Sequence, residues 1–231
     1  MRQLVLNKQT STLALMLLFA FNVQASVGSI GGVLEQSGSV AQIQRNKENI
    51  RAVLNEEIAS MDEVETKNGR LKIKFVDDTL VSLTEHTYMV IDEYVYDPNP
   101  SKSKMALNFV SGTARFATGG LGLVPRENIT IQTPTASIGI RGTDFTTTVD
   151  ELGRSLVILL PDENCTDKVA LEEGCAPSGS ITVTNAGGTQ VLTEAYQAVM
   201  VSTFETIPTT PVTLVNLDLN MIDNMFIVSE P

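Results

Sequence analysis

The sequence predicts an all-β protein, and three observations support this prediction. Apolar and polar residues alternate with period two in many short segments, which is typical of half-buried strands. Glycine, proline, asparagine and aspartate separate these segments at short intervals and supply turns. The 231-residue chain contains no Trp and only 5% aromatic residues. Its core must therefore consist of aliphatic and β-branched side chains, which favour strands.

Composition and charge narrow the class of protein further. Hydrophobic residues make up 42% of the chain and charged residues 19%, enough for the packed core of one large or two small domains. The net charge is −11, and beyond the first 25 residues 14 basic residues stand against 27 acidic ones. Such an acidic surface repels phosphates, so we expect no nucleic-acid partner.

Residues 1–25 are predicted to form a secretory signal peptide. They contain a charged start (Arg2, Lys8), an apolar run (Leu13–Phe21) and a small-residue cleavage site at Ala25. We expect cleavage between Ala25 and Ser26, a periplasmic or secreted mature chain, and no permanent membrane span after cleavage. The alternative is an uncleaved anchor, although the apolar run is short for a spanning helix.

The first part of the mature chain is predicted to contain strands and one segment, residues 45–58, whose secondary structure is ambiguous. Residues 31–44 predict two short strands separated by Gly38. In residues 45–58, four apolar positions (Ile50, Val53, Leu54 and Ile58) have helical spacing, and Asn46 suits a helix N-cap. The hairpin that follows is clearer, with apolar positions at Leu71, Ile73, Phe75, Val81 and Leu83 and a turn at residues 77–79.

Further strands are expected up to Val201. Their apolar positions are Met89 and Ile91, Met105 to Phe109, Ala114 and Phe116, Ile181 and Val183, Val191 and Leu192, and Val199 and Val201. Gly112 is predicted to turn the chain, and residues 119–122 to form a flexible glycine-rich connection. The run 156–160 is continuously apolar, which predicts a strand buried on both faces.

The segment 133–145 is predicted to be a tight corner between two strands. Ile129 and Ile131 alternate with polar residues before it, and Thr147 and Val149 do so after it. The segment contains Pro134, Gly139 and Gly142, which suit a turn or bulge. A ligand-binding loop is the alternative. We expect Arg141 and Asp144 to brace the corner by pairing with each other or with backbone groups.

The same segment resembles the hallmark of the FecR domain, a β-rich extracytoplasmic module of bacterial envelope proteins. Its T-P-x-A element corresponds to Thr133, Pro134 and Ala136, and its R-G-T-x-F element to Arg141, Gly142, Thr143 and Phe145. Weaker elements match in the same order, at Gly38 and Val40, at Asp62, Val64 and Thr66, at Phe75, Asp77 and Thr79, at Gly112, Ala114 and Phe116, and at Leu192. Asp78 and Ala195 stand where the family commonly has glycine.

The resemblance implies a twisted or rolled stack of short strands, β-helix-like, with a β-sandwich as the alternative. It extends over roughly residues 32–201, so we expect residues 26–202 to form one domain. For residues 45–58 it favours a loop leading into strand pieces around Leu54 and Ile58. Residues 203–231 then form a C-terminal tail, either docked on the domain or contacting a partner. Family regulators join this domain to a cytoplasmic anti-sigma segment and a membrane helix. Because neither is seen here, we expect a stand-alone interaction module without a direct sigma-factor role.

No constellation of catalytic residues stands out, so we expect a non-enzymatic protein without a cofactor. A serine hydrolase needs a histidine base, and His86 is the one histidine, without a G-x-S-x-G element. Phosphate-binding and dinucleotide-binding glycine motifs are missing. Carboxylate pairs at 56–57, 77–78 and 92–93 could serve glycoside hydrolysis, but they are interpreted as turn or solvent-facing residues, because chance pairs are expected among 27 acidic residues.

Cys165 and Cys175 lie in one loop and predict a disulfide in an exported protein. A zinc site would need more ligands, so we expect no metal there. The acidic loop Asp162–Glu173 leaves calcium binding open.

The expected partner is another envelope protein, contacted through edge strands. Binding to cell-wall polysaccharide is the alternative, and the scarcity of aromatic residues counts against it.

Overall fold

A computed structural model describes residues 28–125, 128–162, 165, 175–218 and 220–222. The predicted signal peptide, with its cleavage site between Ala25 and Ser26, lies outside the described residues. So does most of the acidic loop 162–173.

The chain folds into seventeen strands within the described residues, joined by turns and two 3₁₀ segments, Pro100–Lys102 and Gly120–Leu123. The strands are β1 (Ser29–Gly38), β2 (Gln42–Arg45), β3 (Glu48–Arg51), β4 (Glu57–Ala59), β5 (Glu63–Glu65), β6 (Gly69–Phe75), β7 (Leu80–Leu83), β8 (Tyr88–Val95), β9 (Lys104–Ala117), β10 (Ile129–Gln132), β11 (Ser137–Arg141), β12 (Asp144–Val149), β13 (Ser155–Leu159), β14 (Ser180–Asn185), β15 (Gly188–Leu192), β16 (Gln197–Val201) and β17 (Val212–Thr213). The all-β prediction is confirmed.

The strands form two sheets that share β9. The first sheet runs in the order β4-β1-β6-β7-β9-β12-β13-β16-β17. The second runs in the order β3-β2-β5-β8-β9-β10-β11-β14-β15. Neighbouring strands are antiparallel, apart from the parallel pair β9 and β10. The result is an extended mixed sheet folded over on itself and not closed into a barrel.

Strand β9 connects the two sheets without interruption. Residues 104–111 pair with β8 in the second sheet, and residues 112–117 pair with β12 in the first. The predicted turn at Gly112 is therefore wrong, because the chain bends there and continues as the same strand. Gly112 has φ +94°, and a Cβ atom on it would lie 2.5 Å from the Cα atom of Thr87. Only glycine fits such a bend against a neighbouring backbone.

One hydrophobic core fills the space between the two sheets. Phe75 of the first sheet stacks on Tyr94 of the second, with ring centroids 4.3 Å apart. Phe116 stacks on Phe145 and contacts Phe109 edge to face. Aromatic residues are scarce, yet these five meet where the sheets face each other and bury large areas there.

Residues 45–58 contain strands β3 and β4 and no helix. Asn46 and Lys47 adopt positive φ and form a tight turn between β2 and β3, which excludes the helix-capping role of Asn46. Ile50 pairs with Ile43 across this hairpin, while Leu54 lies in a turn and is 61% exposed. The helical spacing of the apolar residues is thus coincidental, as the family resemblance indicated, although that resemblance did not predict β3.

Two further predictions need correction. The corner 133–145 contains an additional strand, β11, which pairs with β10 on one side and β14 on the other. Strand β13 buries Val157 and Leu159, but Leu156 and Ile158 stay partly exposed, so it is not buried on both faces. The outer face of the first sheet is only partly covered at this strand, which explains the difference.

The part of the C-terminal segment that the structure describes packs on the first sheet. Strand β17 pairs with β16. Ile222 is buried against Leu160 and Tyr196, and Leu214 and Leu217 pack on the same cluster. The apolar residues Met225 and Phe226 lie outside the described residues.

Replacement of Gly112 by alanine is expected to lower the free energy of unfolding by about 2–4 kcal/mol, because it combines an unfavourable φ with overlap against Thr87. Gly139→Ala is the matched control, since its Cβ would lie no closer than 3.9 Å to Thr182. Urea unfolding followed by circular dichroism measures both. Equal stability of the two variants would contradict the bend at Gly112.

Candidate functional site

The T-P-x-A element forms the turn between β10 and β11. The Thr133 backbone N–H donates to the carbonyl of Ala136 at 2.8 Å, and its hydroxyl oxygen accepts from the Ala136 N–H at 3.0 Å. The hydroxyl of Ser155 lies 2.8 Å from that of Thr133 and 2.7 Å from that of Thr135. Pro134 is exposed at the tip, whereas Ala136 is buried. This element therefore ties the turn to β13.

The R-G-T-x-F element carries the chain from β11 of the second sheet to β12 of the first. Gly142 adopts φ +54°, and the Thr143 N–H donates to the hydroxyl of Thr118 at 2.8 Å. The Thr118 N–H donates back to the carbonyl of Thr143 at 3.0 Å. Phe145 is fully buried, with its ring centroid 5.0 Å from that of Phe116. The element thus anchors a crossing between the sheets.

The predicted pairing of Arg141 with Asp144 is not seen. The Asp144 carboxylate instead accepts two hydrogen bonds from Arg115 of β9, from Nε at 2.9 Å and from Nη2 at 2.6 Å. Both side chains are about four-fifths buried, where a two-point contact of this kind is strong. Arg141 is exposed at the end of β11. The brace at the corner therefore comes from a strand that is distant in sequence.

Asp77 in the β6–β7 turn is a second anchor. Its buried carboxylate accepts hydrogen bonds from the Thr79 N–H (3.0 Å), the Thr79 hydroxyl (2.7 Å), the Leu121 N–H (2.8 Å) and the Tyr94 hydroxyl. The Thr79 hydroxyl in turn accepts from the Gly119 N–H at 3.0 Å. Residues 119–122 are therefore fixed on this turn, and the prediction of a flexible connection is wrong.

Asp62 is a third anchor, again fully buried. It accepts hydrogen bonds from Nε and Nη2 of Arg45, both at 2.7 Å, and from the Ala59 N–H at 2.8 Å. The bond to Asp62 raises the pKa of Arg45 above its ordinary value. This anchor holds β2 and the end of β4 against the β4–β5 turn.

Two tyrosine hydroxyls are tied to carboxylates. Burial and the hydrogen bond to Asp77 raise the pKa of Tyr94 well above its ordinary value. The hydrogen bond to Glu63, at 2.5 Å, together with burial raises the pKa of Tyr88 to about 12. Both groups therefore favour the protonated form in the folded chain.

The remaining candidate residues are the two cysteines, the histidine and the acidic loop. Cys165 and Cys175 form the predicted disulfide, with Cα atoms 5.2 Å apart. His86 is exposed in a turn. Among the described residues no three His, Cys, Asp or Glu side chains come together as metal ligands. The calcium hypothesis falls mostly on residues outside the described part of the chain.

Among the cavities at the surface of the described residues, two lie near the elements discussed above. One of about 430 Å³ lies beside the start of β1 and is lined by Leu34, Asn55, Lys74, Val76 and others. Lys74 there pairs with Asp78 at 2.7 Å. The other, about 300 Å³, lies beside Val110 and Pro134 and is mainly apolar. The charge of Lys74 at the first cavity is thus already paired with a carboxylate of the same chain.

These features define an all-β module whose recognisable side chains hold the fold together. Residues 62–162 match the family model described as FecR protein. This match confirms the predicted resemblance to FecR domains over this part of the chain. The match includes the Asp62, Asp77 and Asp144 anchors and both elements around 133–145.

Comparison with solved structures finds similarity to a Parabacteroides distasonis ATCC 8503 protein, described as a proposed anti-sigma factor. The similarity has a TM-score of 0.46 and 13% sequence identity, and it covers 66% of this chain and 60% of that one. No protein of curated function matches the chain. Within the described residues, no helix has both the length and the hydropathy needed to cross a membrane.

Asp77→Asn is expected to lower the free energy of unfolding by about 2–3 kcal/mol, because an amide cannot accept from all four donors and leaves buried groups unpaired. Asp78→Asn is the matched control at the adjacent position, where the side chain is 78% exposed, and it should change stability by less than about 1 kcal/mol. Urea unfolding measures both variants. Equal effects would contradict the anchoring role of Asp77.

Alkaline pH is expected to destabilise the protein. Above about pH 10, tyrosines of the unfolded chain lose protons, whereas Tyr88 and Tyr94 keep theirs in the folded state. The unfolded state then binds fewer protons, so the free energy of unfolding falls as pH rises. Urea unfolding at about pH 9 and about pH 11 tests this. Tyr88→Phe should weaken the pH dependence more than Tyr96→Phe, a change at an exposed position; the reverse order would contradict the assignment.

Proposed function

We propose that the protein is a non-enzymatic protein-interaction or scaffold module of the bacterial envelope, located in the periplasm or secreted. The observation that carries the proposal is the FecR match over residues 62–162. The FecR domains that this region resembles are extracytoplasmic modules of bacterial envelope proteins. The partner is another envelope protein.

The use of the polar side chains supports binding over catalysis. Asp62 and Asp77 belong to the family elements, and Asp144 stands at the variable position of R-G-T-x-F. Each of the three carboxylates accepts hydrogen bonds from within the chain. A carboxylate occupied in this way stabilises the fold and is a poor proton donor or acceptor for a substrate. The contact surface is therefore sought on exposed strands and turns.

The predicted signal peptide and the disulfide support the location. A disulfide between Cys165 and Cys175 is compatible with an oxidising compartment. Cleavage after Ala25 remains a prediction, which the N-terminal sequence of the mature protein tests directly.

The proposed function is tested by capture from envelopes. Cells producing the full chain with a C-terminal tag are treated with an amine-reactive crosslinker before lysis, and the bound proteins are identified. An unrelated exported domain with the same signal sequence and tag is the control. We expect one envelope protein to be enriched over this control.

Retention on purified peptidoglycan, with no crosslinked protein, would contradict the proposal and favour the polysaccharide alternative. Turnover of a glycoside or ester substrate that is lost on a single carboxylate substitution would contradict it in favour of an enzyme.

A further inference from the structure

Each sheet ends in two terminal strands, and their outer edges differ in how far they are covered. The terminal strands among the described residues are β4 and β17 in the first sheet and β3 and β15 in the second. An uncovered edge presents unpaired N–H and C=O groups that can pair with a further strand. The location of an uncovered edge therefore indicates where a strand of another chain can pair with the sheet.

Strand β4 is capped by side chains. Arg45 Nη2 donates to the carbonyl of Glu57 at 2.8 Å, and Asp62 accepts from the N–H of Ala59 at 2.8 Å. Backbone groups at both ends of this three-residue strand are thus hydrogen-bonded to the Arg45–Asp62 pair. Strand β17 has two residues and follows Pro211, so it offers little edge.

Strand β15 is covered by the segment 203–208. The Ala186 N–H donates to the carbonyl of Phe204 at 3.1 Å, and Asn185 Nδ2 donates to the carbonyls of Thr203 and Thr206. At Gly188 a Cβ atom would lie 2.9 Å from the side chain of Ile207. The chain itself thus occupies the start of this edge.

Strand β3 has no such cover in the part of the chain that the structure describes. The Ala52 N–H donates to the carbonyl of Ala41 at 2.9 Å. Hydrogen-bonded pairs alternate along an antiparallel ladder, so Ile50, opposite Ile43, directs its N–H and C=O inwards to β2. The N–H groups of Asn49 and Arg51 and the carbonyl of Asn49 therefore point away from the sheet. The carbonyl of Arg51 already accepts from Val53.

The side chains along this edge are mixed: Glu48, Asn49 and Arg51 are exposed, and Ile50 between them is half-buried. Lys47 and Arg51 are exposed, and neither side chain has a hydrogen bond or ion pair within the described residues. By contrast, Arg45, Arg70, Lys72, Lys74, Arg115 and Arg154 are all paired with carboxylates. Ile50 is half-buried against the core, and Val53 beyond it is 39% exposed.

We propose that β3 is the docking edge for an extended segment of an envelope protein partner, which adds as a further strand to the second sheet. The segment carries a carboxylate side chain beside Arg51 and an apolar side chain beside Ile50. This inference rests on the proposed function and assigns its contact surface.

Local charge favours an acidic segment even though the chain as a whole is acidic. Exposed charges further apart than about 8 Å are largely screened at physiological salt. Glu48 lies next to Lys47 and offsets its charge, whereas Arg51 lies on the opposite face of β3 and is the charge that an added segment meets there. The same cations disfavour pairing of β3 with β3 of a second copy when Lys47 faces Arg51, since like charges placed opposite each other are destabilising. A partner segment with a carboxylate satisfies Arg51 in full.

The test places a photoreactive amino acid at Asn49 in the full-length chain in intact cells. Its side chain lies at the open edge, and it is exposed in the free protein. Lys102 and Thr189, both exposed elsewhere on the molecule, are the control positions. Crosslinked peptides are sequenced to identify the segment that lies beside β3.

The charge is tested with Arg51→Glu against Lys102→Glu, which changes the net charge equally. We expect Arg51→Glu to reduce the yield of the Asn49 crosslink about tenfold and Lys102→Glu to leave it unchanged. Thermal unfolding of both variants controls for loss of the fold.

The outcomes separate the two levels of inference. A crosslink from Asn49 to an acidic segment of an envelope protein, lost on Arg51→Glu, supports the proposal. A partner protein crosslinked only from Lys102 or Thr189 overturns the β3 site and leaves the proposed function intact. A crosslink from Asn49 to a second copy of the chain overturns the choice of partner. No crosslinked protein from any position overturns the proposed function as well.

Discussion

The fold depends on one strand that belongs to both sheets. Because β9 runs unbroken from the second sheet into the first, the two layers cannot slide or separate without breaking its pairing with β8 or β12. The bend at Gly112 fixes the angle between them, and the packing of Phe109, Phe116 and Phe145 follows from it. With so few aromatic residues, concentrating them beside this strand gives the core its largest buried contacts.

The carboxylate anchors add further connections to those that β9 makes between the two sheets. Asp144 binds Arg115 of β9, and Asp77 joins the β6–β7 turn to Tyr94 of the opposite sheet and to the 3₁₀ segment after β9. Each anchor links segments that are far apart in sequence, so its hydrogen bonds form only when the native arrangement of strands is reached. Charged acceptors with several donors are the stronger hydrogen bonds available for this purpose.

Local patterns were sufficient to predict the hairpins, because alternation and turn residues are properties of neighbouring positions. The β6–β7 hairpin, with its turn at residues 77–79, follows from the sequence alone. The bend at Gly112, the strand β11 and the order of the strands in the sheets do not follow from the sequence. A glycine is compatible with both a bend and a turn, so its presence does not distinguish them. The Asp144 partner was missed for a related reason: Arg115 lies 29 residues away, and only the register between β9 and β12 brings it near.

The family match and the proposed contact lie in different parts of the chain. Residues 62–162, which match the family model, contain Asp62, Asp77 and Asp144, and the carboxylates of these residues bind groups of the chain itself. Strand β3, at residues 48–51, lies before that region. The family match therefore identifies the scaffold. Under the docking proposal, the partner is selected by residues such as Arg51, whose side chain has no ion pair within the described residues.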